Sequence, residues 1–595
     1  MASSFFKHLD IWINGDPGGY KKWILRNDAL TNQERQWIRD QSARMAEKPV
    51  FSIIMPVYNT PVKILKLAIE SVLKQLYPHW ELCIADDAST KKEVVELLKA
   101  YEKRDPRIKI VYRTENGHIS AASNSALGLA TGAWVALLDH DDELAEHALY
   151  CVAQEINDHS EAQLIYTDED KISVDGKRFD PYFKSDWNPA LLTGQNFFNH
   201  LGVYRAALVR DVGGFRIGFE GSQDYDLLWR CVEKVKPEQI RHIPRILYHW
   251  RTLPGSVAAG MDDKIYAIPA ARRAMQEHID RQGIRGHVEK CLENLDMHRV
   301  VYEVPVPAPS VSVLIPMRDK VHLAQNCVET LKRITRYENY DTIIINNDSQ
   351  EEASKSWLGT FAAQPRNFVV DVPGKFSYSR INNEAVRQSK GEILLFLNND
   401  IEILHEGWMA EMVSQLVQPN VAAVGARLWY PNKTLQHGGV IVGIGGAAAH
   451  HFLGTPRGPM QYFARNVLCQ NFSAVTAACM AVRREYFDQV GGFNETDLPI
   501  QYNDVDLCLR LREAGYDIVW TPYAELIHHE SRSRGYNITP EQLEILKQEQ
   551  AYLAKRWRRW IEHDPAYNPN LTIDHPDFRI APEPRLPLPW RISNN

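Results

Sequence analysis

Short runs of aliphatic and β-branched residues alternate with longer amphipathic stretches along most of the chain. Residues 51–57 predict a strand, 62–76 a helix, 80–85 a strand and 91–104 a helix. A strand at 108–112 and a helix at 119–130 follow. Then comes a strand at 134–138 that ends in Asp139-His140-Asp141-Asp142. Short strands alternating with helices predict an α/β fold around a mainly parallel, doubly wound sheet. Ligands of such sheets bind outside the carboxyl ends of the strands. Two acidic clusters, Asp86-Asp87 and the one beginning at Asp139, fall at such ends.

The rhythm occurs twice, in units the size of whole domains. Ser52-Ile53-Ile54-Met55-Pro56-Val57 has a counterpart in Ser312-Val313-Leu314-Ile315-Pro316-Met317. Strands are predicted again at 311–315, 341–345 and 393–397. Gly132 matches Gly391, Asn124 matches Asn383 and Asp141 matches Asp400, each at an offset of 259. Gly213-Gly214-Phe215 matches Gly491-Gly492-Phe493 at 278, so the second copy carries about 19 further residues, some of them around 437–451.

The expected division is a helical extension at 1–50, one domain at 51–290, a linker at 291–309, a second domain at 310–537 and a tail region at 538–595. Pro305, Pro307 and Pro309 mark the linker. In the extension, Phe5, Phe6, Leu9, Trp12 and Ile13 can share one helix face, and Thr31 starts another helix. That face packs on the first domain or meets a membrane surface. Thr539, Pro540 and Gln542 form the sequence of a capping box. The helix they open is expected to reach about residue 561 and ends in Lys555-Arg556-Trp557-Arg558-Arg559-Trp560. This basic end either docks on the protein or faces anionic lipid. Residues 564–595 read as an extended tail wrapped over a domain.

Composition narrows the function. The 595 residues carry a net charge of -7, which excludes a broadly basic nucleic-acid binder, and no nucleic acid is expected as a partner. No stretch reaches the roughly 18 apolar residues of a membrane span. The start lacks a basic segment followed by a long apolar one, so a secretory signal is not expected. The eight cysteines form no CxxC pair and read as buried thiols. The expected location is cytoplasmic, with peripheral attachment to the inner face of the cell membrane left open.

Asp139, Asp141 and Asp142 follow a buried strand. Carboxylates there can hold a divalent cation, and hard oxygen ligands suit Mg2+ or Mn2+. The plainer reading is an acidic helix start favoured by the macrodipole. Asp224-Tyr225-Asp226 adds a third cluster, which also fits a helix cap.

Five pieces in order then carry a resemblance: Met55-Pro56-Val57-Tyr58-Asn59, Ala85-Asp86-Asp87-Ala88-Ser89, Asp139-His140-Asp141-Asp142, Ser222-Gln223-Asp224-Tyr225-Asp226 and Tyr248-His249-Trp250-Arg251. Each copy resembles an inverting glycosyltransferase domain of the large GT-A family 2. The whole chain resembles bacterial tandem glycosyltransferases that build O-antigen or other surface polysaccharide. The resemblance covers about 51–260 and 311–536. It implies two Rossmann-like GT-A domains with helical extensions, and nucleotide-diphosphate sugars (UDP-, dTDP- or GDP-linked) as donors. It also implies a glycan or lipid-linked glycan acceptor, with other polysaccharide-assembly proteins as candidate partners.

By this resemblance Asp86 or Asp87 binds the nucleobase, and Pro56 and Tyr58 line the nucleoside pocket. Asp139 lies near ribose or diphosphate, Asp141 is the main metal carboxylate, and His249 is a further metal or diphosphate contact. Asp224 is the general base. In the second copy Pro316 matches Pro56. Asn346-Asn347-Asp348 stands for Ala85-Asp86-Asp87, so Asn347 and Asp348 face the nucleotide. Leu397-Asn398-Asn399-Asp400 stands for Leu138-Asp139-His140-Asp141, which loses one acid but keeps the metal candidate Asp400. Asp504 is the second base. His528 takes the place of His249, followed by the phosphate clamp Arg532 and by Arg534. This variant resembles rhamnosyltransferase-like members that use dTDP- or similar deoxysugar donors.

Acceptor recognition is expected from 180–187 and 195–198, where aromatic residues mix with polar ones, and from 437–439 and 465–472. Phe197 and Phe198 are alternatively core residues. The leading reading is a bifunctional enzyme. One active domain beside a glycan-positioning one, or a non-catalytic carbohydrate-binding scaffold, are the alternatives. A nucleotidyltransferase would need a Gly- and Lys-rich loop, which Pro56-Val57-Tyr58 does not offer.

Overall fold

The computed structural model describes residues 19–253, 266–291, 297–458, 460–530 and 539–591. The predicted apolar face at Phe5 to Ile13 and the clamp Arg532 with Arg534 lie outside them. In chain order the strands of the first sheet are β1 Phe51–Val57, β2 Trp80–Asp86, β3 Ile108–Tyr112, β4 Trp134–Leu137, β5 Glu143–Leu144, β6 Leu164–Ile172, β7 Arg178–Tyr182, β8 Gly202–Arg205 and β9 Ile240–Arg251. A hairpin of β10 Gly286–Lys290 and β11 His298–Tyr302 follows. The remaining strands are β12 Val311–Met317, β13 Tyr340–Asn346, β14 Asn367–Asp371, β15 Ile393–Leu397, β16 Ile401–Ile403, β17 Val421–Trp429, β18 Leu435–His437, β19 Val440–Val442, β20 Ala448–His450, β21 Gln470–Asn471, β22 Cys479–Arg483 and β23 Asp517–His528.

The first sheet has the order β3-β2-β1-β4-β8-β6-β9-β5, and the second β14-β13-β12-β15-β22-β17-β23-β16. Place for place the two orders are the same, so the repeated sequence is a repeated sheet. β1 lies between parallel β2 and β4, with Phe51 opposite Trp80 and Trp134. β12 repeats this with Val311 opposite Tyr340 and Ile393. Such an order makes β1 and β12 the switch points, and a crevice opens beyond their carboxyl ends.

The sheets are less parallel than the pattern predicts. β8 and β22 run antiparallel to β4 and β15. A parallel neighbour is usually reached through a crossover helix. Between β7 and β8 the chain forms only the short helix Pro189–Leu192.

The sequence explains the burial. Phe51, Ile53, Met55 and Val57 of β1 point to one side, toward Leu65, Ile69 and Val72 of the helix Val62–Leu73. Ile54 points to the other side, against Ala122 and Ala126 of the helix His118–Leu127. A strand covered on both faces is apolar without alternation. The matched glycines have a shared cause. A Cβ on Gly132 would lie 2.5 Å from the Val50 carbonyl, and one on Gly391 2.4 Å from the Ser312 nitrogen. Asn124 brackets Phe215 with two main-chain hydrogen bonds, and Asn383 brackets Phe493 in the same way.

The expected linker at 291–309 contains β11, paired in register with β10, so part of it is ordered sheet. The predicted capping box forms at Thr539/Gln542, and a second one forms at Thr31/Glu34, where only a helix start was expected. The last long helix, Pro540–Arg556, stops at Trp557 rather than near 561, and a short helix Arg558–Glu562 follows. Trp557 is buried and donates to Asp506 Oδ1 at 2.9 Å, which removes it from any lipid-facing surface. The tail binds both domains. Asp564 accepts from Val442 N and Ser473 Oγ of the second. Asn568 donates to Asp168 Oδ2 and the Lys184 carbonyl of the first. All eight cysteines are buried. Among the described residues, no helix is long and apolar enough to cross a membrane.

Candidate active sites

In the first domain one pocket at the ends of β1 and β4 is lined by Pro56, Leu138, Asp139, Asn199, His200 and Asp224. The structure therefore brings three of the sequence candidates together, Pro56, Asp139 and Asp224. Tyr58 stands just beyond β1, 45% exposed. Asp86 ends β2 and is buried. Its Oδ2 accepts from Ser89 N at 3.4 Å, and its Oδ1 has no partner among the described residues. Asp87 is already engaged, by Arg113 Nε at 2.7 Å and Gly117 N at 3.0 Å.

Asp139, Asp141 and Asp142 offer oxygens within 4.8 Å of one another. Asp142 is spoken for. Tyr248 donates to its Oδ2 at 2.5 Å and Arg251 N to its Oδ1 at 2.7 Å. Burial, with the charges of Asp141 and Asp139, pushes its carboxyl up. Asp139 and Asp141, both half-buried, remain as the hard oxygen donors that suit Mg2+ or Mn2+.

His249 does not join them, and its expected role as a metal contact is corrected. Side chains alternate along a strand. Tyr248 faces the pocket, reaching Asp142 and stacking on His200 at 4.6 Å. His249 faces the other way, where Asp170 Oδ1 lies 2.6 Å from its Nδ1. Asp170 in turn accepts from Tyr20 and Arg178, deep beneath the helix Gly19–Asn27.

Asp224 stands in the first turn of the helix Gln223–Val232, where the backbone dipole favours an anion. Its Oδ2 accepts from Asn196 Nδ2 at 3.3 Å and from Asn199 Nδ2. Burial pushes its carboxyl up, while the charge of His200 opposes that. His200 is held by Glu169, whose Oε2 meets its backbone N at 2.6 Å and its Nδ1 at 2.9 Å. Burial lowers the His200 pKa, but Glu169 outweighs it and the ring sits above its ordinary value.

In the second domain Pro316 lies on β12 opposite Ile345. Met317 pairs Asn346 as Val57 pairs Asp86, so Asn347 is the counterpart of Asp87 and Asp348 of Ala88. That corrects the expected alignment by one residue. Asn347 is buried, donates to the Val372 and Gly374 carbonyls, and has a partnerless Oδ1 among the described residues. Asp348 is exposed with φ 63°, as Ala88 has φ 58°.

Asp400 is buried, and its Oδ1 lies 3.2 Å from His528 Nε2. Burial alone would raise its pKa, yet His528 holds it below its ordinary value. Asn398 Nδ2 is 3.4 Å from the same His528 nitrogen. Leu144 pairs Tyr248 and Ile403 pairs Leu526. The counterpart of His528 is therefore Trp250, not His249. Asp504 accepts from Ala477 N at 3.0 Å and Val505 N at 2.9 Å. His450 Nδ1, whose charge environment includes Asp504, is 2.7 Å from His437 Nδ1.

The sequence profile described as glycosyl transferase family 2 matches residues 52–212 and 312–491, one match per sheet. The chain belongs to glycosyl transferase family 2. Among its relatives is an uncharacterised protein, y4gI, of Sinorhizobium fredii, 45% identical over 96% of this chain and 62% of that protein. The O-antigen biosynthesis protein RfbC of Myxococcus xanthus is 36% identical over 91% of this chain and 42% of that protein. The chain thus spans less than two thirds of the length of either. A crystal structure of S. aureus TarS residues 1–349 with UDP is 19% identical, with TM-score 0.30, over 39% of this chain and 72% of that one.

Within this family 2 chain, the first site holds residues that pattern reading did not select, Asn199, His200 and Glu169, together with Tyr248, whose motif Tyr248-His249-Trp250-Arg251 pointed to His249 instead. Asn199, His200 and Glu169 belong to no short motif, and Glu169 and Tyr248 are brought together by the pairing of β6 with β9. Some expected acceptor residues are interior instead. Phe197 and Phe198 are buried, Tyr182 is stacked at 3.9 Å on Phe463 of the second domain, Gln195 is turned to the Phe463 carbonyl, and Asn471 is buried against Asn188.

Proposed function

We propose that the chain is a bifunctional, metal-assisted, inverting glycosyltransferase. It moves sugars from UDP-, dTDP- or GDP-linked donors to a growing bacterial surface glycan, free or lipid-linked. The observation that carries this reading is the pairing, in each domain, of carboxylates at a strand end with a second carboxylate on a helix start. In the first domain Asp139 and Asp224 share one pocket. In the second, Asp400 and Asp504 occupy the matching elements.

In this reading Asp86, rather than Asp87, takes a donor from the nucleobase, because its buried Oδ1 is unpartnered among the described residues. In the second domain Asn347, the counterpart of Asp87, contributes its side-chain carbonyl oxygen, which is unpartnered among the described residues. Pro56, Tyr58 and Pro316 bound the nucleoside. Asp141 with Asp139, and Asp400 with His528, are the groups that would hold Mg2+ or Mn2+. A bound cation of this kind supplies charge stabilisation for the leaving diphosphate. Asp224 and Asp504 take the proton of the acceptor hydroxyl as its oxygen attacks the anomeric carbon and the bond to the diphosphate oxygen breaks.

The domain division at 51–290 and 310–537, a cytoplasmic location and contact with other polysaccharide-assembly proteins belong to the same reading. Asn398 in place of Asp139 favours one second reading, in which the second domain positions the glycan. Nucleoside diphosphate release from a panel of UDP-, dTDP- and GDP-sugars, with Mn2+ or Mg2+ and then with EDTA, tests the reading. Release that needs no cation, or none from any donor, contradicts it.

A further inference from the structure

We propose that the second domain holds the catalytic base of the first site in position. The proposal rests on the reading of Asp224 as that base. The link is the loop 188–200. Two of its residues, Asn196 and Asn199, donate side-chain amide hydrogen bonds to Asp224. The rest of the loop is gripped by the second domain. Gln195, next in sequence to Asn196, donates from Nε2 to the Phe463 carbonyl at 2.9 Å. Asn188 and Asn471 exchange hydrogen bonds of 2.9 and 2.8 Å, and Ala190 N donates to Asn471 Oδ1 at 3.0 Å. A Cβ added at Gly194 would come within 3.0 Å of Leu468.

The gripping residues, Phe463, Leu468 and Asn471, lie between β17 and β22. There the second copy is longer than the first by about 19 residues, the difference between the two offsets of matched positions. The dependence runs one way. Asp504 is held by the main-chain N–H groups of Ala477 and Val505, both in its own domain.

A carboxylate that accepts a proton in the transition state is sensitive to small displacement. A misplacement of about 1 Å caused by a change far from the chemistry can cost on the order of 100-fold in rate. Gln195 and Asn471 are therefore positioning residues, since neither touches the reacting atoms.

The test uses the full chain with UDP-, dTDP- and GDP-sugars as donors and a panel of surface-type oligosaccharides as acceptors. The two transfer steps are identified as those removed by Asp224→Asn and by Asp504→Asn. Gln195→Ala and Asn471→Ala are each expected to lower kcat of the first step about tenfold. Donor KM and the second step should stay within about twofold. A first-step kcat within threefold of wild type in either variant overturns the proposal. So does an equal fall in both steps, which reports general loss of stability. If Asp224→Asn removes no step, the reading of the base fails instead.

Discussion

The backbone N–H of Ala477 donates to Oδ2 of Asp504 at 3.0 Å. Counted back from the paired strand residues Arg205 and Arg483, Ala477 is the counterpart of Asn199. Asn199 performs the same service for Asp224 with its side chain. One proposed base is held by an amide that a point substitution removes, and the other by main chain that it does not.

Asn199→Ala should therefore lower the first transfer step about tenfold and leave the second within about twofold. The pH dependence should move as well. As the proposed base Asp224 works ionised, and burial raises its pKa, so first-step kcat/KM is expected to fall as pH drops through a value above the ordinary Asp value. Loss of the Asn199 donor destabilises the anion, so the acid limb shifts to higher pH. Initial rates of each step against pH check both expectations.

His249 should be structural, not a metal contact. Its Nδ1 partner Asp170 is fully buried among Tyr20 and Arg178. His249→Gln should lower the melting temperature, since a lost hydrogen bond to a charged group costs about 1.5–3 kcal/mol. Mn2+ binding followed by electron paramagnetic resonance should be unchanged. Asp141→Ala and Asp400→Ala should each lose about one bound Mn2+ per chain.

Stability should fall on the alkaline side through a contact between the first domain and the tail. His242 lies 2.9 Å from both Asp186 and Asp168, and His563 also reaches Asp186 at 2.9 Å. Burial opposes the charge on His242, but Asp168 and Asp186 push its pKa up to about 9. A raised pKa stabilises the fold fully below the unfolded value of about 6.5, and the contribution is lost as pH climbs through about 9. At neutral pH it is on the order of 3 kcal/mol at most. Thermal melts from pH 7 to 10 should fall more steeply in wild type than in His242→Gln.

Much of the fold was legible because it rests on local pattern. Strand 51–57, the repeat at Ser52/Ser312, the helix start at Thr31 and the capping box at Thr539 are readable from neighbours in sequence. Strand direction was not. β8 and β22 run antiparallel to β4 and β15, and an apolar run carries no sign of direction. The carboxylates were legible as motifs, but their availability was not. Asp142 and Asp87 look like Asp141 and Asp86 in sequence, and only the fold shows their oxygens taken by Tyr248, Arg251, Arg113 and Gly117. His249 misled because a one-residue difference in strand position turns a side chain to the opposite face. Asn199 with His200, and Glu169, came from two separate segments joined only by the sheet.

The most direct test of the two-site account is product analysis by mass spectrometry for wild type, Asp224→Asn and Asp504→Asn, with mixed donors and one acceptor panel. The account predicts that each variant loses a different sugar addition and keeps the other. A variant that retains both additions at the wild-type rate, or the loss of the same single addition in both, would contradict it.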